Sequence, residues 1–256
     1  MKVLVTGASG TLGRTVLPRL LVDGHEVVAL SRRDRAAEDV TWRRADLATG
    51  AGLSDAVVGA EAVVHLASAP YKRGYTTEVD VHGTRRLASA AAAAGVDHLL
   101  YVSIVGIDKI PFGYYRTKLA AETIVRESGV GWSILRATQF FQLMDLALSY
   151  AAKLPVMIGD PGIAGQPVDP RDVADRIARR LSAGPSGSIE EYGGPETMGF
   201  DDGVRAWLSA RGKRRPLVRV TVPGKLARAF RGGHLTTAAQ PTGRITWHDW
   251  LAEHYG

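Results

Sequence analysis

Three glycines, Gly7, Gly10 and Gly13, follow the apolar run Val3-Leu4-Val5-Thr6 and lead directly into a segment with helical spacing. Strand, glycine turn, helix: that order restricts the fold more than any other feature of the chain. Glycine loses the most backbone freedom on folding and weakens strands and helices, so three of them at intervals of three need a geometric reason. A βα turn that carries a diphosphate supplies one for each. Gly7 permits the tight turn, Gly10 lets the backbone come close to the anion, and Gly13 lets the helix pack on the strand. Backbone N–H groups from Ser9 through Thr11 and Leu12 to Gly13, at the positive end of the helix dipole, then face the anion. The competing reading is a purely structural turn; the strand before it and the helix after it favour the nucleotide.

The rest of the first half repeats the alternation. Strands are expected at Lys2–Thr6, Glu26–Leu30, Val40–Arg43, Ala62–Leu66, Leu99–Ser103 and Trp132–Leu135. Helices are expected at Thr11–Asp23, Thr76–Ala94 and Tyr114–Ser128. Pro18 falls inside the first helix, where it costs a backbone bond or a kink. Alternation of this kind requires crossover connections, and therefore a doubly wound α/β fold with a parallel sheet covered on both faces. After about Phe140 the pattern loosens into proline- and glycine-rich sequence, with helical stretches at Arg171–Leu181, Asp201–Arg211 and Thr246–His254. The expectation is one Rossmann domain over residues 1–256, with residues 140–256 forming mostly a small C-terminal substrate lobe.

Composition narrows the function. The chain has 256 residues, is 45% hydrophobic and carries a formal net charge of +6. Its basic residues come as short scattered pairs, which read as solvated surface rather than a nucleic-acid track. With no cysteine, thiol nucleophiles, thiolate metal sites and disulfides are excluded. The histidines show no metal spacing. No apolar run is long enough to cross a bilayer, and the N-terminal apolar run stops at Thr6-Gly7, short of a signal-peptide core. A cytoplasmic monomer or homodimer, acting on a small molecule and not on nucleic acid or membrane, is the expectation.

Two further segments specify the chemistry. At the end of the second expected strand an acidic residue would hold the ribose hydroxyl of NAD; here stand Ser31, Arg32 and Arg33. A guanidinium pairs bidentately with a phosphate, so these residues favour NADP(H) over NAD(H), with Arg14 in reach of the same phosphate. The alternative is that the arginines are merely solvated. Tyr114 and Lys118, four residues apart on an expected helix, share one face. A phenol titrates at about 10, and a neighbouring ammonium favours its anion, so the pair can exchange a proton with a substrate oxygen. Ser103, ending the fifth strand, can hydrogen-bond the same oxygen. Tyr115, three residues before Lys118, is a rival that is angled away.

These pieces resemble the short-chain dehydrogenase/reductase superfamily, and within it the atypical, NmrA-like NAD(P)H-binding members. The resemblance rests on Thr6-Gly7-x-x-Gly10-x-x-Gly13, Ala45-Asp46-Leu47, Val64-His65-Leu66-Ala67, Val81-x-Gly83-Thr84, Val102-Ser103, Tyr114-x-x-x-Lys118 and Pro167-Val168-Asp169-x-x-Asp172-Val173-Ala174. It implies that Asp46 and Leu47 lie beside the adenine, that Ala67 and Ser68 lie along the cofactor, and that Thr138 lines the nicotinamide end. It implies that Ser103, Tyr114 and Lys118 form the catalytic set, with Lys118 also holding the nicotinamide ribose. Asp80 stands where relatives often carry Asn, which puts a fourth catalytic member in doubt. Ser103 and Tyr114 are separated by only ten residues, too few for the substrate loop of a sugar-nucleotide epimerase.

The resulting expectation is an NADPH-dependent oxidoreductase that reduces a carbonyl, quinone or similarly activated small molecule, apolar or aromatic, with Tyr114 as acid. A non-catalytic NADP(H)-binding redox sensor and an epimerase- or dehydratase-like enzyme remain as alternatives. Lone His65, at a strand end, reads as packing. Phe140, Phe141, Met144 and Met157 could wall a substrate pocket, but core packing is the simpler fate. Trp247 and Trp250 read as anchors of a C-terminal docking helix, and the basic stretch Ala227–Gly233 as a flexible surface segment.

Overall fold

The computed structural model describes residues 1–69 and 74–256. The chain divides into two compact units, one comprising Met1–Ser103, Gly113–Arg136 and Ala174–Glu190, the other Ile104–Phe112, Ala137–Val173 and Glu191–Gly256.

The first unit is built on β1 (Lys2–Thr6), α1 (Gly13–Val22), β2 (Glu26–Ser31), β3 (Thr41–Arg44), α2 (Leu53–Ala56) and β4 (Ala62–His65). It continues through α3 (Tyr75–Thr77), a π-helical turn over Glu78–Gly83, α4 (Thr84–Ala93), β5 (His98–Ile104), α5 (Gly113–Arg126) and β6 (Trp132–Ala137). The central sheet has seven strands in the order β3-β2-β1-β4-β5-β6-β9, where β9 is Ile189–Tyr192. β1 pairs in parallel with both β2 and β4, and β2–β3 and β4–β5 are also parallel. This is the doubly wound α/β architecture. Val3, Leu4 and Val5 are fully buried, as expected for a strand with both faces covered. The strand order reverses between β1 and β4, and ligands of such sheets bind beyond the carboxyl ends of the strands at that point. Thr6 and His65 pair there.

Helices bury one face each. α1 buries Gly13, Val16, Leu17 and Leu20 and runs on through Pro18. On α5 the buried face is 118, 121, 122, 124 and 125, so Lys118 and Glu122 sit among Ala121, Ile124 and Val125. Two charged groups on an apolar face need partners. Glu122 has one in Arg136 of β6, bonded to both carboxylate oxygens at 2.9 and 2.7 Å.

The second unit holds α6 (Phe141–Ala151), β7 (Met157–Gly159), β8 (Ala164–Gly165), the start of α7 (Pro170–Ser182), β10 (Met198–Gly199), α8 (Phe200–Ala210), β11 (Leu217–Arg219), α9 (Lys225–Arg231) and α10 (Trp247–Tyr255). β7 pairs in parallel with β11, and β8 antiparallel with β10. Phe141, Met157, Trp207, Trp247 and Trp250 form its core with Met144 packed against it, whereas Phe140 is half-buried outside that cluster. α10 is closed by a capping box between Thr246 and Asp249, and Trp247 stacks on Trp250 at 5.2 Å. The stretch expected to be flexible near Ala227 is instead helix α9, with Arg231 paired to buried Asp160.

Candidate functional site

At the carboxyl ends of β1 and β4 lies a cavity of about 470 Å³. Gly7, Ser9 and Gly10 line one part of it, Ser31, Arg32 and Arg33 another, Asp46 and Leu47 a third, and Ala67 and Ser68 a fourth. Four sequence segments with separate expected roles thus meet around one space.

The glycines divide the work as their surroundings require. Gly7 has a φ of +68°, and a Cβ there would lie 2.6 Å from the Ala67 nitrogen. A Cβ on Gly13 would lie 2.4 Å from the Gly7 carbonyl oxygen, so Gly13 is needed for helix-to-turn packing. Gly10 is different: its φ is not left-handed, and a Cβ would meet only Gly7 O, at 3.2 Å. The space over Gly10 is otherwise open, so a ligand could come close to its backbone. Its N–H is already used, donating to Gly7 O at 2.9 Å. The N–H groups of Thr11, Leu12 and Gly13 meet no backbone acceptor among the described residues, and the helix has no side-chain N-cap. Unpaired donors at a helix N-terminus are the chemistry of an anion site. Arg14 turns back, its Nε donating to Ser9 O.

Around the second part, Ser31 Oγ accepts the Arg33 backbone N–H at 3.1 Å, which leaves its own proton to donate. Arg32 Nη1 donates to the Tyr75 hydroxyl at 2.6 Å. Arg33 is exposed, and Arg35 also lines the cavity. Asp46 turns its carboxylate to the Ala48 N–H.

The residues expected to exchange a proton lie in the same unit. The Tyr114 hydroxyl is 2.7 Å from Ser68 Oγ, and Ser68 Oγ donates to Asp80 Oδ2 at 2.8 Å. Asp80 Oδ1 accepts the Ala69 N–H at 2.9 Å. Lys118 is only 4% exposed; its Nζ donates to the Val102 carbonyl at 2.8 Å and stands 4.1 Å from the Tyr101 ring centroid. Burial brings its pKa down to about 8, against the opposing pull of Asp80 and Glu122. Burial raises Asp80 above the usual carboxylate range, opposed by the bonds from Ser68 and Ala69 and by Lys118. Ser103, 3% exposed, has a hydroxyl with no hydrogen-bond partner among the described residues. An orphaned buried hydroxyl next to Val102, where Lys118 is anchored, suits a ligand oxygen.

His65 is occupied structurally. Thr84 Oγ1 donates to the Asp80 carbonyl, so it accepts from His65 Nε2 at 2.9 Å, and His65 Nδ1 faces Thr6 Oγ1 at 2.6 Å. Burial, then the Lys118 charge, lowers its pKa to about 3, so the ring is neutral and ties β1 and β4 to the helix after the π turn. Thr138 belongs to the second unit, where it is buried with its hydroxyl unpaired among the described residues.

The NAD(P)H-binding family matches residues 7–183, from the first glycine to the end of α7. The chain belongs to this family. The (4-alkanoyl-5-oxo-2,5-dihydrofuran-3-yl)methyl phosphate reductase of Streptomyces griseus is 29% identical over 98% of this chain and 97% of its own length. Quinone oxidoreductase 2 of Escherichia coli is 29% identical over 75% of this chain and 68% of its own. The structure of that organism's NADPH-dependent quinone oxidoreductase with NADPH superposes with a TM-score of 0.82 at 22% identity, covering 99% of this chain and all of the other. The family match agrees with the nicotinamide-coenzyme class expected from the glycine turn, and the structural neighbour shares the fold.

Two residues, Tyr75 and Arg35, escaped the sequence reading, as did the contact that Asp80 makes. Tyr75 orients Arg32, Arg35 adds a third guanidinium to the cavity, and Asp80 takes the far end of the Tyr114–Ser68 chain. The arginine run was visible as composition. The Asp80 contact was not, because a π-helical turn sets its direction, and no periodic pattern reports such a turn.

Proposed function

We propose that the protein is an NADPH-dependent reductase of a carbonyl, quinone or similarly activated small molecule, apolar or aromatic in character. The observation that carries the reading is the Tyr114 hydroxyl in a hydrogen-bonded chain on the same helix face as the buried ammonium of Lys118. NADPH, when bound, supplies the hydride.

The chain's residues divide the remaining tasks. Thr11, Leu12 and Gly13 offer their N–H groups to the diphosphate across the open face of Gly10. Ser31, Arg32 and Arg33 hold the 2′-phosphate and so give NADP(H) its preference over NAD(H). Asp46 and Leu47 flank the adenine, Ala67 and Ser68 run along the cofactor, and Thr138 serves its nicotinamide end. Lys118, with one N–H given to Val102 O, retains donors for the ribose. Tyr114 gives its proton to the acceptor's oxygen, Ser103 donates a second hydrogen bond to that oxygen, and the Lys118 charge stabilises the phenolate left behind.

The test is loss of NADPH absorbance with a panel of quinones and ketones, for wild type and Tyr114→Phe. The proposal expects turnover with at least one acceptor, a fall of about 10²-fold or more in the variant, and unchanged NADPH affinity. Tight NADPH binding without turnover on any acceptor would instead identify a redox sensor.

A further inference from the structure

Asp80 is 1% exposed, and its carboxylate touches no positive side chain by hydrogen bond or ion pair among the described residues. A buried carboxyl so placed is costly as a purely structural element. Its two oxygens take the Ser68 hydroxyl and the Ala69 N–H, and through Ser68 it is two hydrogen bonds from the Tyr114 oxygen. Resting on the reductase reading, we infer that Asp80 is the proton reservoir for Tyr114, with Ser68 as the relay, making Asp80 a positioning residue that recharges the acid without touching the substrate.

Bond polarity gives the mechanism. Ser68 has one proton. While Asp80 is ionised, that proton points to Asp80 Oδ2, so Ser68 can only accept from Tyr114, and the phenol's proton is directed away from a substrate. When Asp80 is protonated, the chain can reverse: Asp80 donates to Ser68, Ser68 to Tyr114, and Tyr114 outward. Reduction then proceeds with atoms in balance. The Tyr114 O–H bond breaks and its proton joins the acceptor oxygen, balancing the hydride that NADPH would supply when bound. The Ser68 proton moves to the phenolate oxygen, the Asp80 proton to Ser68, and the remaining carboxylate is reprotonated from solvent. In the oxidative direction the ionised carboxylate is the sink for the same proton.

Several groups surround the switch. Lys118 of α5 and Tyr101 of β5 interact with it from the packed elements, neutral His65 of β4 reaches its backbone carbonyl through Thr84, Glu122 lies beyond Lys118, and Glu78 and His82 lie on its own turn. Lys118 favours the carboxylate, and burial opposes it, with burial the larger influence. Asp80 is therefore protonated at a higher pH than an exposed aspartate.

Two measurements test this together. In NADPH-dependent reduction, Asp80→Asn, of the same shape, should lower kcat about 10-fold or more, leave KM and the NADPH Kd within about twofold, and abolish the lower of the two limbs over which the wild-type rate falls with rising pH. Ser68→Ala should also lower kcat and abolish that limb, and Ser68→Thr should restore it. Independently of turnover, infrared or carbon-13 titration of the Asp80 carboxyl should show its pKa rising in Ser68→Ala and, through the shared hydroxyl, in Tyr114→Phe. An Asp80 titration unmoved in Tyr114→Phe, or a pH limb that survives Asp80→Asn, overturns the relay while leaving the reductase standing. Absence of wild-type turnover on every acceptor overturns the reductase reading and the relay with it. If Asp80→Asn does not fold, the Ser68 pair decides alone.

Discussion

Replacing Gly10 by alanine separates ligand from fold. At Gly7 and Gly13 an added Cβ strikes protein backbone at 2.6 and 2.4 Å, so alanine there damages the turn itself. At Gly10 the one neighbour is Gly7 O at 3.2 Å, which a shift of a few tenths of an ångström relieves. Alanine also restricts the unfolded chain, which stabilises by about 0.4–1 kcal/mol where the backbone is compatible. The two effects nearly offset, and with about 2–4 °C of Tm per kcal/mol for a chain near this size, Gly10→Ala should melt within about 3 °C of wild type. Binding should respond differently. The new methyl holds the diphosphate away from the N–H groups of Thr11 and Leu12, and a hydrogen bond to a charged group contributes about 1.5–3 kcal/mol. Losing one weakens NADPH by roughly 10- to 150-fold. Gly13→Ala should lose stability outright, by several degrees. Calorimetry with NADPH and differential scanning fluorimetry on the same preparations give both numbers. A Gly10→Ala protein that binds NADPH with wild-type affinity would refute the reasoning, because the glycine would then have no ligand to make room for.

Other perturbations probe separate parts. Arg32→Ala with Arg33→Ala should weaken NADPH about tenfold or more, as expected for lost guanidinium–phosphate pairs, and leave NADH unchanged; equal losses for both coenzymes in titrations would contradict the assignment. Reduction should fall as pH rises through about 8, where Lys118 loses its proton and with it the charge that supports the Tyr114 anion; a rate that stays level well beyond that pH in stopped-flow assays would remove Lys118 from the mechanism. The same shift has a stability sign. Folded Lys118 titrates below its ordinary value, so the penalty for the buried ammonium is present below about 8 and is relieved as pH rises toward about 10.5. Arg136→Met leaves Glu122 buried without its partner and should cost about 3–5 kcal/mol in denaturant unfolding; a loss under about 1 kcal/mol would mean the pair is not structurally important.

The first unit was legible because its signals are local and periodic. β1, the glycine turn and α1 are set by an apolar run, three glycines and one helical stripe, and Tyr114 and Lys118 by a spacing of four. Even there the detail differs: α1 begins at Gly13 rather than Thr11, and β2 extends to Ser31. What escaped lacks a periodic signature. The seventh sheet strand, Ile189–Tyr192, reads Ile-Glu-Glu-Tyr, since an edge strand need not be apolar on both faces. Helix α6 has exposed Leu143 and Leu146 beside buried Phe141 and Leu148, which blurs its stripe. The expected helix over Thr76–Ala94 exists as α3, a π turn and α4 in succession, and the π turn is what aims Asp80 at Ser68.

The central claim is that Thr11–Gly13 and the Ser31–Arg33 segment together grip a coenzyme bearing a 2′-phosphate. Isothermal titration of folded wild-type protein with NADPH and with NADH tests it most directly. The account predicts saturable binding of NADPH and weaker binding of NADH; no heat with either coenzyme, or equal affinity for both, contradicts it.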